Sequence, residues 1–497
     1  MTDVASRPPT AGAEQHTVAE TQLKAGAIGL PGVLMQGVTA IAPAIAGMFT
    51  IPFIVSNAGV NAPLAYLGAF VIALMLGYVL AQFTKHMTST GTYYTFVSNS
   101  LGERWGFLVA WTYLLFYPVV VAQVGSFMGS TLQSTLGAEY GWTVHWWYFM
   151  VFLIALVALT AWRGIELSTT VVVVLGILET LIVLALAISG FADPGSGGVN
   201  LHWLNPGNAP SGHGLFLGVV FAIFAISGWD AAAPLGEESE DPKKTIPRGV
   251  MGSIIILGVF LVFVSWGQIT GWGTNHPDSF ASSSELPAFV LGHKFWGGAW
   301  VIVLIALFNS AIAVAIATTN SATRFLYGMA RTGVLPKQLT TIHPRFRTPT
   351  TAIAFQTVIN VLLGIVLPIA VGVANVYNIT GTWFTFALAP VYAAANVGLF
   401  LYYRRNYPAE LNWFKHIVIP VIGTIALGVV VYESVNPLPA YPVSLAPFIV
   451  LGWIVLGVVL LAWMLMSGRE RLLAHAKDAV LERIETPEEH AAKPEFI

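Results

Sequence analysis

The sequence predicts an all-α polytopic membrane protein of about twelve membrane-crossing helices, and three observations carry that prediction. Of 497 residues, 56% are hydrophobic and only 9% charged, with a mean hydropathy of +0.73, whereas soluble domains are roughly one quarter charged. Apolar runs of the length a crossing needs, roughly 20 residues, recur between residues 29 and 466 with short polar interruptions. The basic residues occupy alternate loops: with the N-terminus cytoplasmic, all of the 22 Lys and Arg except Lys294 fall on the cytoplasmic side, as the excess of positive charge inside requires. One missed crossing would scramble that alternation.

In chain order, residues 1–29 read as a cytoplasmic tail, because Pro8-Pro9 and scattered charges leave no apolar stretch of the kind a cleaved leader carries. Apolar periodicity predicts helices over 30–57, 62–84, 103–133, 146–162 and 166–190. Residues 191–212 form an extracellular loop free of Lys and Arg. A second set follows over 213–238, 248–272, 297–326, 349–371 and 375–404, and helices eleven and twelve, 414–433 and 443–467, lie within 405–467. Trp142, Trp146 and Trp147 sit where an outer interfacial belt is expected. The tail 468–497 is cytoplasmic; Leu472, Leu473, Ala476, Val480 and Ile484 fall at near-helical spacing, as in a helix on the membrane surface or a solvated one.

Composition excludes several function classes. A net charge of −2 without a basic stripe offers nucleic acid nothing to bind. The absence of cysteine removes disulfides, thiolate chemistry and Cys-ligated metal. The 11 histidines lie almost all in loops or tails and form no metal-binding spacing, so no metal and no organic cofactor is expected. The crossings contain no paired nucleophile and base, which argues against an enzyme, and no continuous polar lining, which argues against a channel.

Two interruptions contradict uninterrupted helices. In the first crossing, Gly37, Pro43 and Gly47 fall at mid-depth, where an interior proline costs roughly 3 kcal/mol and forfeits a backbone hydrogen bond. In the sixth, Ser227-Gly228-Trp229-Asp230 falls at similar depth, followed by Pro234. Irregular backbone at membrane depth is tolerated where it lines a cavity, and paired interruptions in two halves of a chain point to a transported solute. A half-helix N-terminus offers amides to a carboxylate, and freed carbonyls suit an ammonium or a cation. The candidate solute-binding residues are therefore Ile41, Ala42, Pro43, Ala44, Ile45, Ala46 and Gly47 with Ser227, Gly228, Trp229 and Asp230. A simple kink at each site is the plainer alternative.

Two acids lie inside crossings, Asp230 at the second break and Glu179 mid-way along the fifth helix. Burial of a charge at a helix centre costs about 2.5–3.5 kcal/mol, so such groups usually face a partner, a cavity or a pathway. Asp230 can accept a hydrogen bond from a solute ammonium, carry a proton, or cap the half-helix that follows it. Glu179, with no basic residue in its own helix, is the second candidate proton carrier, or a protonated structural group. Ser310, Thr318 and Thr319 in the eighth helix have oxygens that suit an ion, a less favoured reading than a proton. Trp229, beside the break, is a candidate gate over the solute, with plain core packing as its rival.

Three blocks carry a resemblance to the amino acid/polyamine/organocation superfamily. The first is Gly91-Thr92-Tyr93-Tyr94, Gly102 and Gly106-Phe107-Leu108-Val109-Ala110-Trp111. The second runs from Gly228-Trp229-Asp230 through Glu237-Glu238 and Asp241-Pro242-Lys243-Lys244 to Pro247-Arg248. The third spans Ser321, Arg324, Tyr327, Arg331, Gly333 and Leu335-Pro336 to His343-Pro344-Arg345 and Arg347-Thr348-Pro349. The resemblance implies a leucine-transporter-like fold: two inverted five-helix repeats, 30–190 and 213–404, plus two peripheral helices, with alternating access around a central site. It implies a conformational and structural role at the cytoplasmic face for the third block. Tyr94, in the first block, is a further candidate gate beside Trp229. The first break, Ala42-Pro43-Ala44, is similar to that of polyamine importers and of a broad group of bacterial amino acid permeases. Glu179 stands where several members have a lysine.

The sequence thus leads to a secondary active importer of a small amine-bearing solute, an amino acid or polyamine, in the cytoplasmic (inner) membrane with both termini inside. A proton on Asp230 or Glu179 is the expected coupling ion, and a monomer or homodimer in the lipid bilayer the expected assembly. The alternatives are an ion-independent exchanger and, from another class, a non-transporting sensor on the same fold.

Overall fold

The computed structural model describes residues 23–467, so the predicted tail helix beyond residue 468 and most of the N-terminal tail lie outside it. Among the described residues there are twelve membrane crossings and no β-strand. The first crossing is built from Leu30–Ile41, a widened turn Ile45–Phe49 and Ile51–Ala58, after which Gly59–Asn61 turns the chain into Ala62–Thr84, the second. The rest are Glu103–Tyr140, Trp146–Arg163, Ile165–Ala192, Gly212–Glu238, Pro242–Trp272, Pro287–Arg331, Thr350–Val371, Val373–Asn406, Phe414–Glu433 and Val443–Met466.

The sequence underestimates three of them. The seventh begins at Pro242 rather than near 248, because Pro242 occupies the first turn of the helix, where its missing amide would be unbonded anyway and its fixed φ suits the helix. The third runs on to Tyr140, and the eighth is preceded by Pro287–Trp296, joined to it through the turn Gly297–Trp300. In each case the polar residues that suggested an end are exposed where the helix leaves the apolar layer.

The first, third and eighth crossings are mostly buried, whereas the eleventh and twelfth bury under a third of their residues and stand at the periphery against the tenth. One reciprocal contact secures the last helix: the Trp111 indole N–H donates to the Trp453 carbonyl and the Trp453 indole N–H to the Trp111 carbonyl, both at 2.8 Å, with the rings stacked at 4.5 Å.

Alternation of the loops puts Lys85, Arg104, Arg163, Arg248 and Arg405 on one side, the basic face. The short helix Tyr93–Leu101 lies there, between the second and third crossings. Its glycine motif has a steric cause. Gly102 has φ +103°, a backbone state that L side chains rarely adopt, and a Cβ on Gly106 would fall 1.8 Å from Ser98 Oγ. On the opposite face Lys294 donates to the carbonyls of Gly271 (2.9 Å) and Asp193 (3.1 Å), so the one basic residue outside the charge pattern closes loops there.

Candidate solute-binding site

The first break is set by Ala42 and Pro43. Proline disfavours the helical region for the residue before it, and Ala42 takes a left-handed conformation, φ 60° and ψ 75°, with its amide turned back to the Thr39 carbonyl at 3.0 Å. The groups released by the break find partners on four other crossings. Glu179 of the fifth accepts from the Ala44 amide through Oε2 at 3.1 Å, and Ser310 Oγ of the eighth accepts from the Ile45 amide at 3.4 Å. The Ala46 carbonyl accepts from Tyr66 Oη at 2.6 Å and the Gly47 carbonyl from Gln268 Nε2 at 2.5 Å.

The second break follows the helix Gly212–Ile226. Ser227 is extended and Gly228 has φ +126°, after which the chain winds into a tight 3-10 helix over Trp229–Glu238. The glycine is required on two counts, since a Cβ there would also fall 2.5 Å from the Ala40 carbonyl oxygen. The two breaks therefore touch backbone to backbone. Beyond Gly228, Asp230 is fully buried and held by tyrosines: Tyr113 donates to Oδ2 at 2.5 Å and Tyr392 to the same oxygen at 3.3 Å.

Between the breaks lies a cavity of about 90 Å³. Of the predicted residues, Ile41, Ala42, Ile45, Ala46, Ser227 and Trp229 line it, and Pro43, Ala44, Gly47, Gly228 and Asp230 do not. Gly47 packs instead against Val183, Val264 and Phe260. The Asp230 carboxylate points behind the wall into the tyrosine cage, and Trp229 is the residue that faces the cavity, its ring stacked on Tyr392 at 6.0 Å. Glu179 is likewise behind the wall, as the acceptor for the first half-helix. The three candidate ion oxygens do not converge: Ser310 serves the first break, the Thr318 hydroxyl donates to its own helix at Val314, and Thr319 Oγ1 has no partner among the described residues.

Toward the face opposite the basic one, the rings of Phe49, Phe127 and Tyr377 meet at centroid distances of 4.1, 5.0 and 5.2 Å and separate the cavity from a vestibule of about 480 Å³. The vestibule wall includes Glu139, Glu285 and His293. Toward the basic face the site is shut. Arg324 and Glu238, at 0% and 1% side-chain exposure, form a two-pronged ion pair at 2.8 and 3.2 Å, and Arg331 grips Glu237 at 2.5 and 3.0 Å. The segment before the first crossing adds a backbone clasp, with the Ile28 amide donating to Glu238 (3.0 Å) and the Glu240 amide to Ile28 (2.8 Å). Tyr94, the other predicted gate, is at this closure and not at the cavity: its hydroxyl donates to Thr332 Oγ1 at 3.0 Å.

Sequence reasoning missed Tyr113 and Tyr392, the tyrosines on Asp230, and Gln123, Phe224 and Tyr377 in the cavity wall. No local pattern distinguishes them from the aromatics and polar residues of a packed bundle. The pairing of Glu237 and Glu238 with Arg331 and Arg324 was missed as well; its signal is that two adjacent acids after a break call for two cations, and the third block holds two.

Comparison with known proteins places this geometry. The chain is 26% identical to the branched-chain amino acid permease BcaP of Bacillus subtilis over 428 residues, 83% of this chain and 85% of the relative. It is 25% identical to the low-affinity putrescine importer PlaP of Escherichia coli over 373 residues, 74% of this chain and 80% of the relative. It is 24% identical to the methylthioribose transporter of Bacillus subtilis over 455 residues, 86% of this chain and 90% of the relative. A profile described as amino acid permease matches residues 35–461, from the first crossing into the last. With twelve crossings among the described residues, two of them broken, this chain belongs to the amino acid permease family of the amino acid/polyamine/organocation superfamily and is a multi-pass membrane transport protein rather than an enzyme.

Proposed function

We propose that the protein is a secondary active importer of a small amine-bearing solute, working by alternating access in the cytoplasmic membrane with the basic face inside. The observation that carries this reading is the cavity between two broken helices, shut toward the basic face by two ion pairs and separated from the opposite vestibule by three aromatic rings. A single thin layer on one side and a thick closure on the other is the arrangement of a site that opens to one face at a time. The carbonyls of Ala40 and Ile41, released by the first break, are free to accept from an ammonium.

A proton on Asp230 or Glu179 is the proposed coupling ion. Both carboxyls are 0% exposed, no Lys, Arg or His is paired with either, and each has one oxygen without a partner among the described residues. Buried acids in this condition are the groups that proton-coupled carriers use. The relatives named for a branched-chain amino acid, putrescine and methylthioribose share only a small polar solute, so amine recognition rests on the carbonyls of the breaks.

The test is uptake into liposomes containing the purified protein. Accumulation of labelled amines or amino acids is expected to rise when the side facing the vestibule is acidified. Equal accumulation with and without a pH gradient, with full coupling kept in Glu179→Gln, sinks the proton part; counterflow with no gradient-driven accumulation at all selects an exchanger. No movement of any amine or amino acid sinks the transport reading.

A further inference from the structure

We infer that the central site selects amines that carry no carboxylate, an inference that rests on the transport reading above. A zwitterionic amino acid needs hydrogen-bond donors for its carboxylate as well as acceptors for its ammonium, and a broken helix supplies those donors as the first amides after the break. Here each half-helix N-terminus has a carboxylate of the protein's own.

At the first break Pro43 has no amide, Ala44 donates to Glu179 (3.1 Å), Ile45 to Ser310 (3.4 Å) and Ala46 to the Ala42 carbonyl (2.8 Å). No amide of this half-helix N-terminus is left for a solute. At the second break Ser227 donates to Phe224 and Ala231 to Gly228. The amides of Gly228, Trp229 and Asp230 remain, but the buried carboxyl of Asp230 sits in that same first turn. A solute carboxylate there would approach a fixed acid.

The side chains of the wall repeat the pattern. Among the described residues, no Lys, Arg or His lines the cavity. Ser227, Thr318 and Thr50 donate their hydroxyl protons to carbonyls of their own helices, Tyr392 donates to Asp230, and Gln123 Nε2 donates to the Tyr377 carbonyl. The Trp229 indole N–H is a fully buried donor of the wall without a partner among the described residues. Acceptors are plentiful by contrast, for the carbonyls of Ala40, Ile41 and Ala225 have no hydrogen bond among the described residues. Their complement is an ammonium on a compact apolar body. The cavity, at about 90 Å³, is below the roughly 150 Å³ that accommodates benzene in an engineered protein cavity. Glu179 and Asp230 thus act as specificity-determining residues from behind the wall: Glu179 takes the first amide of one half-helix, and Asp230 sets an acid of the protein's own in the first turn of the other.

The experiment is counterflow in liposomes containing the full-length protein, with matched probes: 3-methylbutylamine against leucine, putrescine against ornithine, and leucine methyl ester as the arm that keeps the bulk and removes the charge. Each amine is expected to exchange at concentrations at least about tenfold lower than its parent acid, the scale of leaving one buried charged group without partners, and the ester is expected to follow the amines. Parent acids that exchange as well as their amines overturn the inference and leave the transport reading standing. An ester as poor as leucine shows exclusion by size and overturns it too. If none of the five probes exchanges, the transport reading itself fails and the inference with it.

Discussion

Gly228→Ala tests whether the two breaks form one rigid junction. Gly228 has φ +126°, and the added Cβ would fall 2.5 Å from the Ala40 oxygen, 2.8 Å from its carbonyl carbon and 3.1 Å from the Ile41 amide nitrogen. All three are backbone atoms, so no side chain can swing aside. The strained φ alone costs an alanine about 1–2 kcal/mol, and forced overpacking adds about 1–3 kcal/mol, giving about 2–5 kcal/mol in all. The clash also pushes Ala40 and Ile41, whose carbonyls are the proposed ammonium acceptors, away from Ser227 and Trp229. Solute binding should therefore fall further than stability. The assay is thermal unfolding in detergent with and without solute, together with liposome uptake. The control is Gly452→Ala in the last crossing, where a Cβ meets nothing within 4 Å and helix propensity favours alanine by about 1 kcal/mol. A Gly228→Ala protein that melts with the wild type and retains uptake would falsify the backbone junction.

Three further outcomes follow from the same geometry. Arg324→Ala leaves Glu238 buried without its cation and should cost about 3–5 kcal/mol; the double replacement Arg324→Met with Glu238→Met should recover most of that in equilibrium unfolding, and no recovery would mean that the pair does more than neutralise charge. Glu179→Gln should stay within about 1 kcal/mol of wild type, because an amide oxygen still accepts from Ala44, whereas Glu179→Leu strands that N–H and should cost about 1–3 kcal/mol; equal melting of the two variants counts against the capping role. Because the chain has no cysteine, a single Thr318→Cys reports access to the cavity, and its labelling by a thiol reagent added on the vestibule side should be faster when Phe49→Ala opens the aromatic layer. Unchanged labelling would show that Phe49 does not limit entry.

The crossings were legible because an apolar run is a local property: each stretch must satisfy lipid or the bundle wherever it ends up. The breaks were legible for the same reason, since Pro43 and Gly228 constrain their own backbone. Even the two glycines of the first motif, Gly102 and Gly106, act within a dozen residues. Sequence reasoning lost its grip where a role depends on what lies across the bundle. Asp230 and Glu179 were recognised as consequential from the cost of burying an acid, yet neither lines the cavity, and the residues that hold them are distant: Tyr113 and Tyr392 are 117 and 162 positions from Asp230, and Ala44 is 135 from Glu179. Tyr94 was placed among the gates and is found at the closure of the basic face, tied to Thr332 across 238 positions.

What the sequence by itself determined is the membrane class, the number of crossings and the two points where helices cannot continue, because solvation by lipid and backbone sterics act residue by residue. Which way each buried acid faces, which amides the breaks leave free and which end of the cavity is closed were decided only by the tertiary structure. Those are properties of hydrogen-bond partners, and a partner exists only once distant helices have packed.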